Sequence, residues 1–382
     1  MLLSPVFTLD SDALHRHIAD SRSPEAIERA CSRFERGHGC DPEDLAALWF
    51  SDLATETFFE AANRRRGTVR HETFSPLYMT NTCDAECLMC GMRRSNGALV
   101  RETADIDEVA EQLRTLARRG MHAVALLTGE YRIEQRAWAM GYVNQAVRAT
   151  LELGFRHVLI NVGSIDEDEF SSLLAGIARL DDGSIAAKLT MSTFQETYEP
   201  KIYARFMGQD PTNPRADFSR RLANFDRAFA AGMRVANPGI LVGLNPDVPY
   251  EMSALAFHTR HLQDLGMEVY LSMPRLRRIA GEGNHRTIGD EEYVRLVSLL
   301  SLALPQAKPV ITTRESAAMQ EKLAPVVTVI SAGSASVAPY TADGASFPLE
   351  TSQFEVIDQR PFEAILGDHR ARGMDFENFI PQ

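Results

Sequence analysis

The chain has 382 residues, of which 45% are hydrophobic, and its formal net charge is −12. This acidic balance argues against a nucleic-acid partner, which favours a basic face, and no run of about 18 apolar residues predicts a transmembrane helix. The N-terminal residues lack the basic and apolar regions of a secretory signal peptide. We therefore expect a cytoplasmic protein with no membrane partner.

Residues 1–70 are predicted to form a helical N-terminal extension. Ser23 and Asp41 each precede a proline, which is the pattern of an N-cap followed by proline at the first helical position. Leu45 and Leu48 then begin an apolar pattern with helical spacing. We therefore predict helices in this part of the chain and identify no candidate site residue there.

From residue 71 onward, short apolar strands alternate with helices. Eight strands are predicted, at residues 75–80, 123–127, 157–162, 186–191, within 235–244, and at 268–272, 309–313 and 326–330. Eight such repeats predict an α/β fold, a (β/α)8 barrel of the TIM type over residues 71–335. Residues 336–382 are predicted to form a C-terminal tail that packs on the barrel.

The first predicted strand leads directly into three cysteines, Cys83, Cys87 and Cys90, spaced C-x3-C-x2-C. Three thiolates suit an iron–sulfur cluster that keeps one iron open for another ligand. A zinc site with a distant fourth ligand and a redox disulfide are the alternatives. Cys31 and Cys40 have no neighbouring cysteine to form a CxxC motif, and we expect them to be reduced and structural.

Chemistry in such barrels lies at the C-terminal ends of the strands, and several predicted strands contain or precede polar side chains there. These are Tyr78, Glu130, Gln195, Glu196, Arg275, Arg314 and Ser331. The planar fork of an arginine binds a carboxylate with two hydrogen bonds, so Arg314 and Arg275 are candidate anion sites, although a salt bridge is open for both. Each of the other candidates also has a structural alternative. Tyr78 could be a core packing residue, Ser331 an ordinary loop serine and Glu130 a solvent-facing side chain.

Several segments together resemble the radical S-adenosylmethionine (SAM) aromatic amino acid lyases. Within that family the resemblance is strongest to the tryptophan lyases that make 3-methyl-2-indolic acid in thiopeptide biosynthesis. It covers about residues 70–365 and is carried by the cysteine spacing and by segments 76–78, 127–131, 194–198, 205–208, 237–244, 312–315 and 337–340. Two residues depart from the family pattern. Met89 stands where an aromatic residue is usual, and Thr128 replaces the first glycine of a Gly-Gly-Glu motif.

The resemblance implies roles for residues at the cofactor site. Cys83, Cys87 and Cys90 would bind three irons of a [4Fe–4S] cluster, and SAM would bind the fourth iron. Glu130 would accept a hydrogen bond from the SAM amino group. Gln195 and Glu196 would lie near SAM, and we place Arg275 with them as a possible anion contact.

The resemblance also implies a substrate site and a reaction. Arg314 would clamp the substrate carboxylate, and Tyr78 and Ser331 would line the pocket. A flavodoxin or ferredoxin would reduce the cluster, and the resulting 5′-deoxyadenosyl radical would abstract hydrogen from the amino group of L-tryptophan. The side chain would then fragment and rearrange to 3-methyl-2-indolic acid.

Two other functions remain open from the sequence. The first is a lyase that cleaves L-tyrosine to p-cresol and dehydroglycine, as in thiazole or hydrogenase-cofactor synthesis. The hydrogenase branch is disfavoured because it needs a second cluster near its C-terminus, and no cysteine follows Cys90. The second is an iron–sulfur or zinc carrier without catalysis.

Overall fold

The computed structural model describes residues 6–37, 39–67, 70–180, 188–282, 287–341 and 347–381. Its centre is a closed barrel of eight parallel strands in chain order, which confirms the predicted TIM-type fold. The strands are β1 (Glu72–Tyr78), β2 (Ala123–Leu127), β3 (His157–Asn161), β4 (Leu189–Ser192), β5 (Val235–Asn237), β6 (Glu268–Ser272), β7 (Lys308–Thr312) and β8 (Val329–Ser331).

Most strand boundaries lie close to the predicted ones. β2 and β6 coincide with the prediction, whereas β1 begins and ends earlier, so that its last residue is Tyr78. The predicted fourth strand began at residues 186–187, which lie outside the described residues. β1 pairs with β8 through Phe74 and Ser331, and this pairing closes the barrel.

Helices surround the strands because each connection must cross back to the start of the next parallel strand. They are α1 (Ser11–Asp20), α2 (Pro24–Glu35), α3 (Leu45–Phe50), α4 (Thr55–Arg66), α5 (Ile106–Arg118), α6 (Ile133–Glu152), α7 (Glu167–Ile177), α8 (Pro200–Met207), α9 (Phe218–Leu222), α10 (Asn224–Ala231), α11 (Val248–Asp264), α12 (Asp290–Ala303), α13 (Ala317–Leu323) and α14 (Phe362–Ala371). Residues 218–231 form two consecutive helices, α9 and α10. None of the helices in these ranges is long and apolar enough to cross a membrane.

The N-terminal helices pack on the outside of the barrel, against α11 and α12. The guanidinium of Arg295 in α12 donates to the carbonyl oxygens of Leu48, Leu53 and Ser51, at 2.6, 2.6 and 2.9 Å. Apolar residues of the extension and of the barrel belong to one buried cluster. The extension is therefore joined to the barrel by a shared core as well as by hydrogen bonds.

The C-terminal segment contacts both ends of the barrel. Val337 pairs with Tyr78, and Gln353 accepts a hydrogen bond from the Gly91 backbone, so residues 337–341 and 347–358 lie at the mouth of the barrel. After α14 the chain reaches the opposite end, where Phe376 and Phe379 pair with residues at the starts of β1 and β2. The tail therefore covers the end of the barrel at which chemistry is expected.

Candidate active site

The three cysteines lie on the loop after β1, and all of them line one large cavity at the mouth of the barrel. The empty space in this cavity, including its opening, is about 1230 Å³. Met89, the residue that departs from the family pattern, is buried in a small apolar cluster with Tyr203 and Leu241. A thioether fills that space as a ring would.

In this buried site the cysteine sulfur atoms are better suited to bind iron than to exist as free thiolates. Burial raises the pKa of Cys83 to about 12 and also raises that of Cys87. The backbone N–H groups of Ala85 and Glu130 point at the Cys83 sulfur, at 3.4 and 3.3 Å, and would donate to it as a thiolate. A bound cation would supply the charge that makes deprotonation favourable.

The arrangement fits an iron–sulfur cluster rather than a single metal ion. Among the described residues, no three His, Cys, Asp or Glu side chains converge as ligands of one ion. A cluster takes one sulfur per iron, so its cysteines need only line a common cavity. Cys83, Cys87 and Cys90 meet that condition. All five cysteines are free, which agrees with the expectation for Cys31 and Cys40.

Glu130 is held against the cysteine loop by the turn after β2. A Cβ atom on Gly129 would come within 2.1 Å of the Thr82 carbonyl oxygen and 2.7 Å of Cys83, so only glycine permits this approach. The Glu130 carboxylate is buried and accepts from the Ser164 N–H at 3.0 Å. The Glu130 carboxylate therefore stays in the cavity although Thr128 replaces the first glycine of the family motif.

Two arginines that we did not predict from the sequence balance the acidic side chains. Arg221 donates to Glu130 at 3.1 Å, and Arg215 donates to Glu196 at 2.6 Å while lying 3.9 Å from Glu130. All four side chains line the cavity and are mostly buried. Their charges are paired, which lowers the cost of holding them away from water.

The loop after β4 brings Glu196 into the cavity with a backbone φ of +69°, which is unusual for a residue other than glycine. The carboxylate of Glu251 in α11 holds this loop. It accepts from the Thr197 hydroxyl at 2.5 Å and from the Tyr198 N–H at 2.8 Å. Gln195 is buried but does not line the cavity, and its expected position near SAM stays a prediction.

Arg275 forms a buried ion pair. Its guanidinium donates to Glu315 at 3.1 Å and to Asp290 at 2.6 Å, and it stacks on the ring of Tyr293. It does not line the cavity. Two carboxylates pair with its charge, which is the salt-bridge alternative that the sequence left open for Arg275.

Arg314, Tyr78 and Ser331 all line the cavity, as the expected substrate side requires. The Arg314 guanidinium lies over the ring of Phe354, 3.4 Å from its centroid, and makes no hydrogen bond or ion pair with any other described residue. Burial lowers the pKa of Arg314. A bound carboxylate would supply the missing partner for this buried cation.

The floor of the cavity combines polar strand ends with an apolar base. Asn161, Ser192, Asn237, Ser272 and Thr312 close the strands β3 to β7. Below them, side chains of the barrel interior form an apolar cluster that includes Phe74, Ala125, Leu159 and Val310. Such a cavity can hold an apolar group with a few directed polar contacts.

The tail completes the cavity with Gln353 and Phe354. The Gln353 amide accepts from the Tyr78 hydroxyl at 2.6 Å and lies 3.4 Å from the Cys90 sulfur. No sequence motif predicted these two residues, because they lie more than 260 positions from the cysteine loop. Their place in the site follows only from the folded path of the tail.

Two known proteins are similar to this chain in sequence. The chain is 28% identical over 377 residues to a 2-iminoacetate synthase of Escherichia coli, covering 96% of this chain and 93% of that protein. The 2-iminoacetate synthase of Salmonella typhimurium is 26% identical over 343 residues, covering 87% and 85% of the two chains. The chain is similar to 2-iminoacetate synthases over nearly its whole length. No protein-family model matches it.

Solved structures show the same fold. The [FeFe]-hydrogenase maturase HydG from Carboxydothermus hydrogenoformans superposes with a TM-score of 0.82 at 22% identity, covering 96% of this chain and 83% of that one. A second HydG structure gives a TM-score of 0.81 at 24% identity, with 96% and 80% covered. Methylornithine synthase gives 0.68 at 16% identity, covering 91% and 96%.

Proposed function

We propose that this protein is a radical SAM lyase that acts on an aromatic amino acid. One observation carries the proposal: the three cysteines face the same cavity as Arg314, which pairs with no carboxylate among the described residues. The cysteine trio offers a cluster site, and the arginine offers a site for the carboxylate of a small substrate. The similarity to 2-iminoacetate synthases over nearly the whole chain supports the same class of enzyme.

The cofactors are a [4Fe–4S] cluster, held by Cys83, Cys87 and Cys90, and SAM. After reduction by a flavodoxin or ferredoxin type of protein, they supply a 5′-deoxyadenosyl radical that can remove a hydrogen atom from a bound substrate. Glu130 would accept a hydrogen bond from the SAM amino group, and Arg221 holds that carboxylate in place. Glu196, fixed by Arg215, lies on the same side of the cavity.

The chain's own residues orient the substrate. Arg314 binds the carboxylate with its guanidinium fork, and Phe354 covers one face of that group. Tyr78 and Ser331 offer hydroxyl groups to the amino acid from neighbouring strands. The apolar base of the barrel receives the aromatic side chain and excludes water from it.

L-Tryptophan is the substrate we propose, and 3-methyl-2-indolic acid is the product. Loss of a hydrogen atom from the amino group would start the fragmentation. The bond from Cα to the carboxyl carbon would break, that carbon would bond to C2 of the indole ring, and the Cα–Cβ bond would break, so that Cα leaves with the amino nitrogen as methanimine. A second electron from the flavodoxin or ferredoxin and a proton would complete the product. Arg314 remains bound to that carboxylate throughout and prevents its escape. The motifs at Tyr78 and at residues 312–315 support tryptophan.

A tyrosine lyase is the second candidate. It is favoured by the similarity to 2-iminoacetate synthases, because 2-iminoacetate is dehydroglycine, the fragment that cleavage of tyrosine to p-cresol releases. The same residues would hold the carboxylate and amino groups of either substrate. The two candidates differ in the fate of the side chain, and the product distinguishes them directly.

Anaerobic turnover tests both candidates in one experiment. Reconstituted protein receives SAM, a low-potential reductant and equal amounts of tryptophan and tyrosine, and the products are identified by mass. 5′-Deoxyadenosine with 3-methyl-2-indolic acid supports the proposal, whereas 5′-deoxyadenosine with p-cresol establishes the tyrosine lyase. A variant with all three cysteines changed to alanine is the control. Cluster-loaded protein that leaves SAM intact would overturn the enzymatic function.

A further inference from the structure

Gln353 connects the two halves of the cavity. Its side-chain carbonyl accepts from the Tyr78 hydroxyl at 2.6 Å, and its side-chain amide N–H group points at the Cys90 sulfur at 3.4 Å. Tyr78 belongs to the proposed substrate side, and Cys90 belongs to the proposed cluster site. Within the described residues, one side chain therefore contacts both sides.

The two contacts fix the orientation of the amide. When Cys90 binds iron, its sulfur has no proton and can only accept a hydrogen bond. The NH2 group of Gln353 must then face the sulfur, and its carbonyl oxygen faces Tyr78. The Tyr78 hydroxyl donates to that oxygen, which leaves the lone pairs on the tyrosine oxygen available to a substrate N–H group.

The backbone holds Gln353 at this position. The Gly91 N–H donates to the Gln353 carbonyl at 2.8 Å, and a Cβ atom at Gly91 would lie 2.8 Å from the backbone oxygens of Ser352 and Gln353. The side chain of Asn81 donates to the Thr351 carbonyl at 3.2 Å. The tail is therefore attached to the cysteine loop itself, immediately after Cys90.

The far side of the same segment is attached to another part of the mouth. The Glu355 N–H donates to the Arg278 carbonyl at 2.8 Å, and the Ile357 N–H donates to the Thr313 carbonyl at 3.1 Å. Thr313 directly precedes Arg314. Gln353 is thus held between the cysteine loop and the loop that carries the proposed carboxylate clamp.

We propose that Gln353 is a positioning residue that raises the reduction potential of the cluster and fixes the Tyr78 hydroxyl. This inference rests on the proposed function, since it requires a cluster on Cys90. An N–H group beside a ligating sulfur stabilises the reduced cluster, which carries one more negative charge, and so raises its potential. The same amide keeps Tyr78 in the orientation that the substrate meets.

Reduction potentials measured on reconstituted protein without SAM or substrate test the first half. In Gln353→Glu, one carboxylate oxygen still accepts from Tyr78, but the donor to Cys90 is lost and a negative charge is added. Gln353→Leu removes both contacts with little change in size. We expect both variants to have more negative potentials than the wild type in titrations followed by electron paramagnetic resonance.

The Glu355→Gln variant is the matched control, because Glu355 lies on the same segment and pairs with Arg278 at the surface. Its potential is expected to equal that of the wild type. Tyr78→Phe tests the second half: it should raise KM for the amino acid and leave the potential unchanged. Should Gln353→Leu bind too little iron to be titrated, Gln353→Met, which is neutral, similar in length and without an N–H group, decides the first half.

The outcomes separate this inference from the proposed function. Wild-type protein that binds no iron and sulfide would overturn the proposed function. A loaded wild-type cluster whose potential is unchanged in Gln353→Glu would overturn the role of Gln353 at Cys90 and leave the proposed function intact. A shift in reduction potential with Tyr78→Phe would show that the two ends of the Gln353 amide do not act separately, the N–H group on Cys90 and the carbonyl oxygen on Tyr78.

Discussion

Arg314 and Glu315 are neighbours in the chain, but their side chains serve different parts of the molecule. The Arg314 guanidinium faces the cavity with no carboxylate partner among the described residues. Glu315 is fully buried and accepts from Arg275 and Arg277 outside the cavity. The acidic residue closest in sequence to Arg314 is therefore already occupied, and the arginine stays available for a ligand.

Replacement of Arg314 by glutamine should weaken binding of the amino acid. A hydrogen bond to a charged group contributes about 1.5–3 kcal/mol, so we expect KM to rise about 10- to 100-fold, together with loss of rearranged product. Steady-state kinetics under anaerobic conditions measure this. Arg260→Gln, which removes an exposed pair with Glu43 on α11, is the control and should behave as wild type. An unchanged KM in the Arg314 variant would contradict the clamp.

Replacement of Gly129 by alanine should displace the cysteine loop. The added methyl group would overlap with the Thr82 carbonyl oxygen at 2.1 Å, and the loop must move to relieve the contact. We expect a marked loss of iron and sulfide after reconstitution. Gly141→Ala is the matched control, since a Cβ atom there meets no atom within 4 Å and alanine favours the helix by about 1 kcal/mol. Full iron content in the Gly129 variant would contradict the steric role.

Replacement of Glu130 by glutamine should affect both SAM binding and stability. The neutral side chain cannot balance Arg221, and an unpaired buried charge costs about 3 kcal/mol or more. The double variant Glu130→Gln with Arg221→Met removes both charges. We expect it to recover the thermal midpoint of unfolding, while its affinity for SAM remains at least about 10-fold reduced. Titration calorimetry measures the affinity of both variants for SAM. If both bind SAM as tightly as the wild type, this role for Glu130 is contradicted.

Glu251 makes the stability of the fold depend on pH. Burial raises its pKa from the ordinary value of 4.5 to about 7, against several hydrogen bonds that lower it. Between these values the folded protein holds a proton that the unfolded chain has lost. The stabilisation is therefore complete below pH 4.5 and is lost as the pH rises through 7; its full size is about 3 kcal/mol.

Thermal unfolding at pH 5.5 and pH 8 measures this effect. We expect the midpoint temperature to be lower at pH 8 than at pH 5.5. This decrease should be smaller in Glu251→Gln, because its side chain stays neutral. The same substitution at Glu152, on the exposed surface of α6, is the control and should keep the pH dependence of the wild type. An equal fall in Glu251→Gln and wild type would show that this carboxyl group does not titrate in the range.

The sequence predicted those parts of the site whose position follows from one strand end. Parallel strands in a barrel all deliver their C-terminal residues to one rim, so Cys83, Glu130, Glu196, Arg314 and Ser331 could be placed there before the fold was known. The cysteine spacing and the alternation of strands and helices both come from short-range patterns. The fold class and this group of residues were predicted for that reason.

The parts of the site that were not foreseen come from contacts between distant segments. Arg275 follows its strand as predicted, but Glu315, in the loop after the neighbouring strand, pairs with it. Gln195 and Glu196 are adjacent, and Glu196, which has a backbone φ of +69°, is the one that lines the cavity. Arg215, Arg221 and Gln353 lie in connections and in the tail, where no periodic pattern indicates the direction of a side chain.

The path of the tail also sets the order in which the site can be completed during synthesis. Residues 349–358 leave the ribosome after all eight strands, so the cysteine loop and the Arg314 loop exist before the segment that joins them. Until that segment docks, the cysteine loop lacks the backbone contact at Gly91 and the amide of Gln353. The cysteine loop is therefore more open before the tail docks, and docking of the tail then encloses it.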